Sequence, residues 1–262
     1  MILNLLDRKI RRAFSGAAMQ YEVLAGLQKE IGRELIRKIV DRQECSSILD
    51  VGMGTGWMTD RLRFWFPDAA VTGLDVADGM VRQARDKYGD LAIVQADAQA
   101  LPFCENSFDV VVSNLSYQWA NDLTQAFAGA WSCLKPGGTL FATLFGRQTF
   151  CELFEALEAA AGDGARPSPV IRRLAGRAEI EAALRAAGFQ DIELKDEIIK
   201  THFDNMMALL KWIKDIGANV RERDIFVGRD LLYRAAHYYQ DRFKDRWGVF
   251  ATFEVVWITA RK

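Results

Sequence analysis

From Leu27 to Ile39 apolar residues recur every fourth position, at Leu27, Ile31, Leu35 and Ile39, with charged residues between them. A single apolar stripe on an otherwise charged helix marks an amphipathic helix laid against a core. Residues 7–22, just before it, read as a helix with one positive face from Arg8, Lys9, Arg11 and Arg12, followed by Phe14 and Tyr21. From Ser47 the pattern changes. Short, almost continuous apolar runs at 47–51, 71–75, 92–95, 108–113 and 139–144 read as buried strands. Helical patterns near 56–65, 78–87 and 121–133 separate them. Such alternation predicts a mainly parallel sheet covered on both faces, with right-handed crossovers. Ligands of such sheets bind at the carboxyl ends of the strands.

The second half continues with a helix at 152–161, a loop at 162–169 and a helix at 177–187 that Gly188 stops. Residues 189–203 and 249–262 read as the last two strands. Between them, Met206, Leu209, Leu210, Ile213 and Ile216 fall at helical spacing, as do Leu232, Ala236, Tyr239 and Phe243. A helical insert of about forty residues is too long for a hairpin connection. With the amino-terminal helices it is expected to form a lid over the ligand edge. The expected division is amino-terminal helices over 1–44, an α/β core over 45–203, a helical lid insertion over 204–248 and the last core strand over 249–262.

Composition narrows the class. The chain has 262 residues, half of them apolar, which suffices for one large core. A net charge of −1 excludes a polyanion binder that works through overall charge, so nucleic acid is not an expected partner. The four cysteines Cys45, Cys104, Cys133 and Cys151 form no C-x-x-C pair and stand apart from His202 and His237. Buried, reduced thiols and no metal site are therefore expected. No apolar run reaches the ~18 residues of a membrane span. Residues 1–12 lack the apolar segment of a signal peptide, and a cytoplasmic protein is expected.

Candidate chemistry gathers at the predicted strand ends. Ile48-Leu49-Asp50-Val51 runs into Gly52-Met53-Gly54-Thr55-Gly56 and then into a helix at Trp57. Glycines at every second position let backbone approach a ligand closely, and helix-start amides favour an anionic group. A dinucleotide fingerprint requires G-x-G-x-x-G, but Trp57 occupies its third glycine position. Asp50 suits a ligand amino group. Asp75 ends the next strand, where an acid accepts hydrogen bonds from ribose hydroxyls; the alternative is a helix cap, a role open to Asp78. Asp97 ends the third strand and Asn114 the fourth.

In that order the motifs resemble the class I S-adenosyl-L-methionine (SAM) dependent methyltransferases. They are Asp50–Gly56, Asp75, Gln95–Ala98 with Leu101-Pro102-Phe103, Phe108–Asn114, and Lys135-Pro136-Gly137-Gly138 before Thr139–Phe145. The resemblance implies an α/β, Rossmann-like fold: a seven-stranded, mostly parallel sheet with helices on both faces and a helical lid. It also implies a SAM site in which Gly52, Gly54 and Gly56 shape the loop around the methionine part, with Asp50 beside it. Asp75 would hold the ribose hydroxyls, Asp97 and the Ala98 backbone would face the adenine amine, and Asn114 would line the methyl-transfer edge.

Further segments are similar to one branch, the BioC-type malonyl-[acyl-carrier-protein] O-methyltransferases. These are Ile10–Tyr21, Ser113-Asn114-Leu115-Ser116-Tyr117-Gln118-Trp119, Ala208–Ala218 and Phe253-Glu254-Val255-Val256. This resemblance implies that the free carboxylate of malonyl-loaded acyl carrier protein, or of malonyl-CoA, is methylated early in biotin (pimeloyl) synthesis. The product would be S-adenosyl-L-homocysteine. Tyr21 matches the branch's amino-terminal tyrosine, which closes over donor and acceptor. Trp119 is a pocket wall or a core residue. An acidic carrier protein needs a basic patch; the candidates are Arg8, Lys9, Arg11 and Arg12, or Lys211 and Lys214, or Arg172, Arg173 and Arg177. Two other readings are a methyltransferase for another small acid or a quinone precursor, and a non-catalytic SAM-binding partner subunit.

Overall fold

The strand–helix alternation closes into one sheet in the computed structural model, which describes residues 5–41, 45–162, 172–220 and 228–262. Helices α1 (Leu5–Leu24) and α2 (Gly26–Val40) precede it. Strands β1 (Ser47–Val51), β2 (Ala70–Asp75), β3 (Ala92–Gln95), β4 (Phe108–Asn114) and β5 (Leu134–Phe145) run parallel. Helices α3 (Trp57–Trp65), α4 (Asp78–Lys87) and α5 (Leu123–Cys133) fall between them. Next come α6 (Cys151–Ala161), α7 (Arg177–Ala187), β6 (Gln190–Phe203), α8 (Met206–Asp215), α9 (Arg229–Arg242), the two-residue β7 (Lys244–Asp245) and β8 (Gly248–Arg261).

The strand order is β3-β2-β1-β4-β5-β8-β6, with β7 paired to the start of β8. β8 is antiparallel to both neighbours. The seven-stranded frame is therefore as expected, and β7 is a short ribbon inside the stretch read as helical. The chain grows outward from β1 in one direction and from β4 in the other. The β1/β4 seam is the switch point where the loops part and leave room for a ligand.

Side-chain alternation along each strand divides the core. Ile48, Val110, Val112 and Phe141 face α2, α3 and α6, where Ile31, Leu35, Ile39, Leu62 and Leu153 bury. Leu49, Val111, Leu140 and Ala142 face α5 and α7, with Phe127 and Leu184. The every-fourth-residue stripe of α2 is thus its core face. The edge strand β6 is charged, with Asp191, Glu193, Lys195, Asp196 and Glu197 blunting further pairing.

The insert of 204–247 goes to two places. α8 docks on α1, where the Trp212 indole donates to Leu24 O at 3.2 Å. α9 packs on α6, where Tyr238 OH donates to Glu155 at 2.9 Å and the Arg234 guanidinium donates to Ala160 O. α1 in turn sits on α4: a Cβ on Gly79 would fall 2.4 Å from Ser15 O.

Several expectations need correction. Lys135–Gly138 belong to β5 rather than preceding it, joined through a register irregularity opposite Phe108–Val110. Ala77, not Asp78, caps α4; Asp78 sits in its first turn and accepts from Ser15 Oγ at 2.8 Å. All four cysteines are free, but Cys133 alone is buried, while Cys104 and Cys151 are exposed. From residue 163 on, the expected loop over 162–169 lies outside the described residues.

Candidate active site

The loop after β1 touches the loop after β4. Gly52 has φ +76°, and a Cβ there would lie 1.9 Å from Ser116 Oγ, so no side chain fits. Gly54, at φ +58°, faces Tyr21. Gly56 does something else: as the left-handed cap of α3 its bare Cα meets Ala84, Tyr88 and Leu91, on the side toward α4.

Three neighbouring cavities lie above this seam. The first is lined by Gly52, Asp75, Asp97, Ala98, Ser116 and Trp119, with Arg11 at its edge. The second is lined by Tyr21, Gln28, Asp50, Gly54, Trp57 and Asn114, and shares Gly52 with the first. The third is mostly apolar, with Phe14, Leu115, Phe145, Phe150 and Trp212 in its wall, and takes in Gln118 and Arg172. Tyr21 and Gln28 belong to both the second and the third, and Trp119 to both the first and the third. Trp119, left open above, is therefore a cavity wall; its ring meets Phe14 edge-on at 5.2 Å.

The acids differ in how they are held. Asp75 accepts from Gly54 N at 2.9 Å and Ala77 N at 2.8 Å, which ties the glycine loop to β2. Burial pushes its carboxyl up, and these amides counter the shift. Asp97 accepts from Gln99 N at 2.8 Å. Asp50 is fully buried; its Oδ2 accepts from Thr59 Oγ1 at 2.7 Å, while Oδ1 has no hydrogen-bond partner. Burial pushes the Asp50 carboxyl up to about 7, the Thr59 bond pulls against this, and Asp75 adds repulsion. A lone carboxylate oxygen in a buried wall is an acceptor for a cationic group.

Tyr21 packs against Ala18, Ala77 and Met80. Burial, and then the charge of Asp75, push its phenol far above the ordinary range, so it stays a hydrogen-bond donor. Asn114 is committed to the frame: Nδ2 donates to Gln28 O at 2.9 Å, and Oδ1 accepts from Thr143 Oγ1 at 2.8 Å. It ties α2 to the ends of β4 and β5 and so fixes the second cavity's wall. Leu115 (φ 53°) and Phe150 (φ 62°), both in the third cavity, hold left-handed backbone without being glycine. Strain of this kind concentrates at functional sites.

The structure brings Tyr21, Asp50, Gly52, Gly54 and Asn114 to one cavity and Asp75, Asp97 and Ala98 to its neighbour; Gly56 lies outside both. Sequence reasoning gave no role to Gln28, Gln118, Phe150 or Trp212, and it left Arg172 among several candidate cations. Trp212 and Gln118 lay in recognised segments; nothing in the local pattern marked Gln28 or Phe150. Of the expected basic patches, Lys211 pairs with Asp215, Arg173 with Glu158 and Arg177 with Asp196. Among the described residues no three His, Cys, Asp or Glu side chains form a metal-binding group. No helix among them is long and apolar enough to cross a membrane.

Comparison with known proteins agrees with this geometry. A family described as "Methyltransferase domain" matches residues 49–142. A malonyl-[acyl-carrier protein] O-methyltransferase of Geobacter sulfurreducens is 36% identical over 259 residues, covering 95% of this chain and 97% of that protein. A biotin biosynthesis bifunctional protein BioHC of Saccharophagus degradans is 33% identical, over 94% of this chain and 45% of its own. In fold, the chain is similar to a phosphoethanolamine N-methyltransferase 2 of Haemonchus contortus, solved with phosphomonomethylethanolamine and S-adenosylhomocysteine. That likeness has a TM-score of 0.62 at 18% identity, over 100% of this chain and 61% of the other. With near-complete reciprocal coverage at that level of identity, the chain belongs to the malonyl-[acyl-carrier protein] O-methyltransferase family.

Proposed function

We propose that this protein uses SAM to esterify the free carboxylate of a malonyl thioester on acyl carrier protein or coenzyme A, early in biotin (pimeloyl) synthesis. The observation that carries this reading is that two acid-lined cavities border one apolar cavity, the Asp50 cavity at Tyr21 and Gln28 and the Asp75–Asp97 cavity at Trp119. The donor side fits SAM by its chemistry. Asp50, with its unpartnered Oδ1, would take the α-ammonium. Gly52 and Gly54 would let backbone approach the methionine chain. Asp75 would hold the ribose hydroxyls, keeping its amide bonds, since a carboxylate has about four acceptor sites. Asp97 and the Ala98 backbone would face the adenine amine.

When bound, SAM supplies a sulfonium methyl: the acceptor oxygen–carbon bond forms as the carbon–sulfur bond breaks, leaving S-adenosyl-L-homocysteine. The chain's own task is alignment and exclusion of water. Tyr21 lines both sides and would donate a hydrogen bond where they meet; Asn114 holds the wall behind it. No general base is needed, because a carboxylate is already ionised at pH 7. The methyl ester removes a charge that is costly in an apolar acyl tunnel. α1 and α8 act as the lid of the acceptor side.

The test is incubation of the protein with SAM and either malonyl-loaded carrier protein or malonyl-CoA, with mass spectrometry for the methyl ester. Ester on either thioester supports the reading. Its absence from both rejects it in favour of another small-molecule acceptor, or of a non-catalytic SAM-binding subunit if SAM binds without any turnover.

A further inference from the structure

Among the described residues, Tyr21 and Gln28 line both the Asp50 cavity and the apolar cavity. Gln28 is 7% exposed, and its Oε1 has no hydrogen-bond partner. A buried polar atom left in this state is costly and calls for a functional reason. Such side-chain atoms occur among the described residues at Gln28, Asp50, Tyr117, Gln118 and Trp131, and all of these but Trp131 line the three cavities. The backbone of Gln28 is firmly held. It lies in the first turn of α2, and its carbonyl accepts from Asn114 Nδ2 at 2.9 Å, while Asn114 Oδ1 accepts from Thr143 Oγ1. The helix is thus tied to the ends of β4 and β5 at this residue. A half-turn of the glutamine amide exchanges its carbonyl and amino ends, so it serves as acceptor or donor.

We propose that Gln28 orients the methyl acceptor: its amide Nε2–H donates to the acceptor's carboxylate and sets one oxygen against the methyl donor. This rests on the proposed malonyl reading and deepens it. An ionised carboxylate is opposed in an apolar cavity unless it is hydrogen-bonded. Gln28 supplies that bond at the border with the donor side, beside the Tyr21 phenol. Arg172, also in the apolar wall, bonds the Trp119 and Ala120 carbonyls. An uncharged donor suits this chemistry. A sulfonium and a carboxylate react to a neutral thioether and a neutral ester, so charge disappears as the new bond forms. A contact that binds the anion strongly before reaction is weakened on the way and slows the step. A neutral amide aligns the oxygen and gives up less, and a residue fixed on a helix holds that alignment. A thioester without a carboxylate, such as acetyl, offers this amide no anionic oxygen.

The test is calorimetric titration of malonyl and acetyl thioesters, on CoA and on carrier protein, into the full chain saturated with S-adenosylhomocysteine. Gln28→Met keeps the length of the side chain without its donor. Malonyl affinity should fall about threefold to tenfold, and acetyl affinity by less than about threefold. Gln28→Glu sets a like charge against the carboxylate, and malonyl affinity should fall about tenfold or more. S-adenosylhomocysteine affinity should stay within about threefold in both variants, which also shows that they fold. The sign at Gln28→Glu separates the two sides: tighter S-adenosylhomocysteine with malonyl affinity unchanged puts the amide on the donor's ammonium beside Asp50 and overturns the inference. Equal losses for malonyl and acetyl, or malonyl affinity unchanged in both variants, also overturn it, as does a wild type that binds neither malonyl form. Should the wild type make no ester yet lose malonyl binding in Gln28→Glu, Gln28 keeps its role and the substrate reading falls. With ester formed and malonyl affinity intact in both variants, the role of Gln28 falls and the substrate reading stands.

Discussion

The proposed donor side and the proposed acceptor side of this site are built on different plans. On the donor side, Asp50, Gly52, Gly54, Asp75, Asp97 and Ala98 all come from three successive strand ends, and Asp75 ties the glycine loop to β2 through backbone amides. On the acceptor side, Phe14, Gln28, Leu115, Phe150, Arg172 and Trp212 come from six separate segments and meet through side-chain packing. The first plan is rigid and polar, fitted to one ligand with fixed groups. The second is apolar and composite, and a change in any one segment retunes it without disturbing the sheet. A fold that must keep one donor and choose among acceptors benefits from that separation.

Mutations should respect the division. The largest effect is expected from Gly52→Ala, which places a Cβ 1.9 Å from Ser116 Oγ at φ +76°. It should cost about 2–4 kcal/mol of stability and abolish S-adenosylhomocysteine binding. Denaturant unfolding and calorimetry measure both; a wild-type midpoint would show that the seam is loose. Asp75→Ala comes next. It should weaken S-adenosylhomocysteine binding by about tenfold or more while leaving acyl-CoA affinity unchanged. Equal losses on both sides would blur the comparison.

Tyr21→Phe tests the joint. Turnover should fall about tenfold, with S-adenosylhomocysteine affinity altered by less than about threefold; a normal rate removes Tyr21 from the chemistry.

Asp50 predicts a pH effect confined to the donor side. Burial pushes its carboxyl up to about 7. S-adenosylhomocysteine affinity should therefore fall as pH drops below about 7, by up to about tenfold per unit, and Asp50→Asn should flatten the profile. The stability sign is opposite. A pKa raised above the usual carboxylate range stabilises the ligand-free fold at low pH, and that contribution is lost as pH rises through about 7. Thermal melts of the free protein across that window, with Asp50→Asn as control, check it. The smallest effect belongs to Lys87→Met, which removes the ion pair to Glu22 between α4 and α1. Less than about 1 kcal/mol is expected at this part-exposed pair.

Much of the fold was legible because its signals are local. Buried parallel strands are short apolar runs, and the stripe at Ile31, Leu35 and Ile39 marks a helix face wherever the helix goes. The donor acids were legible for the same reason, since each ends a strand. Gly56 shows the limit: a positive φ is readable as glycine, but whether the bare Cα meets a ligand or Tyr88 depends on where α4 lies. The insert of 204–247 shows it again, because helical spacing says nothing about which helix docks on α1 and which on α6.

By itself, the order of residues determined the sheet, its switch point and the acids along one edge, because those follow from periodicity and from chain ends a few residues apart. Tertiary structure alone decided that Arg172 should bond the Trp119 and Ala120 carbonyls, that Asp50 should keep one oxygen unpartnered, and that Tyr21 should line both the Asp50 cavity and the apolar one. Those facts depend on desolvation and on contacts between segments far apart in the chain, and neither is written in any local pattern.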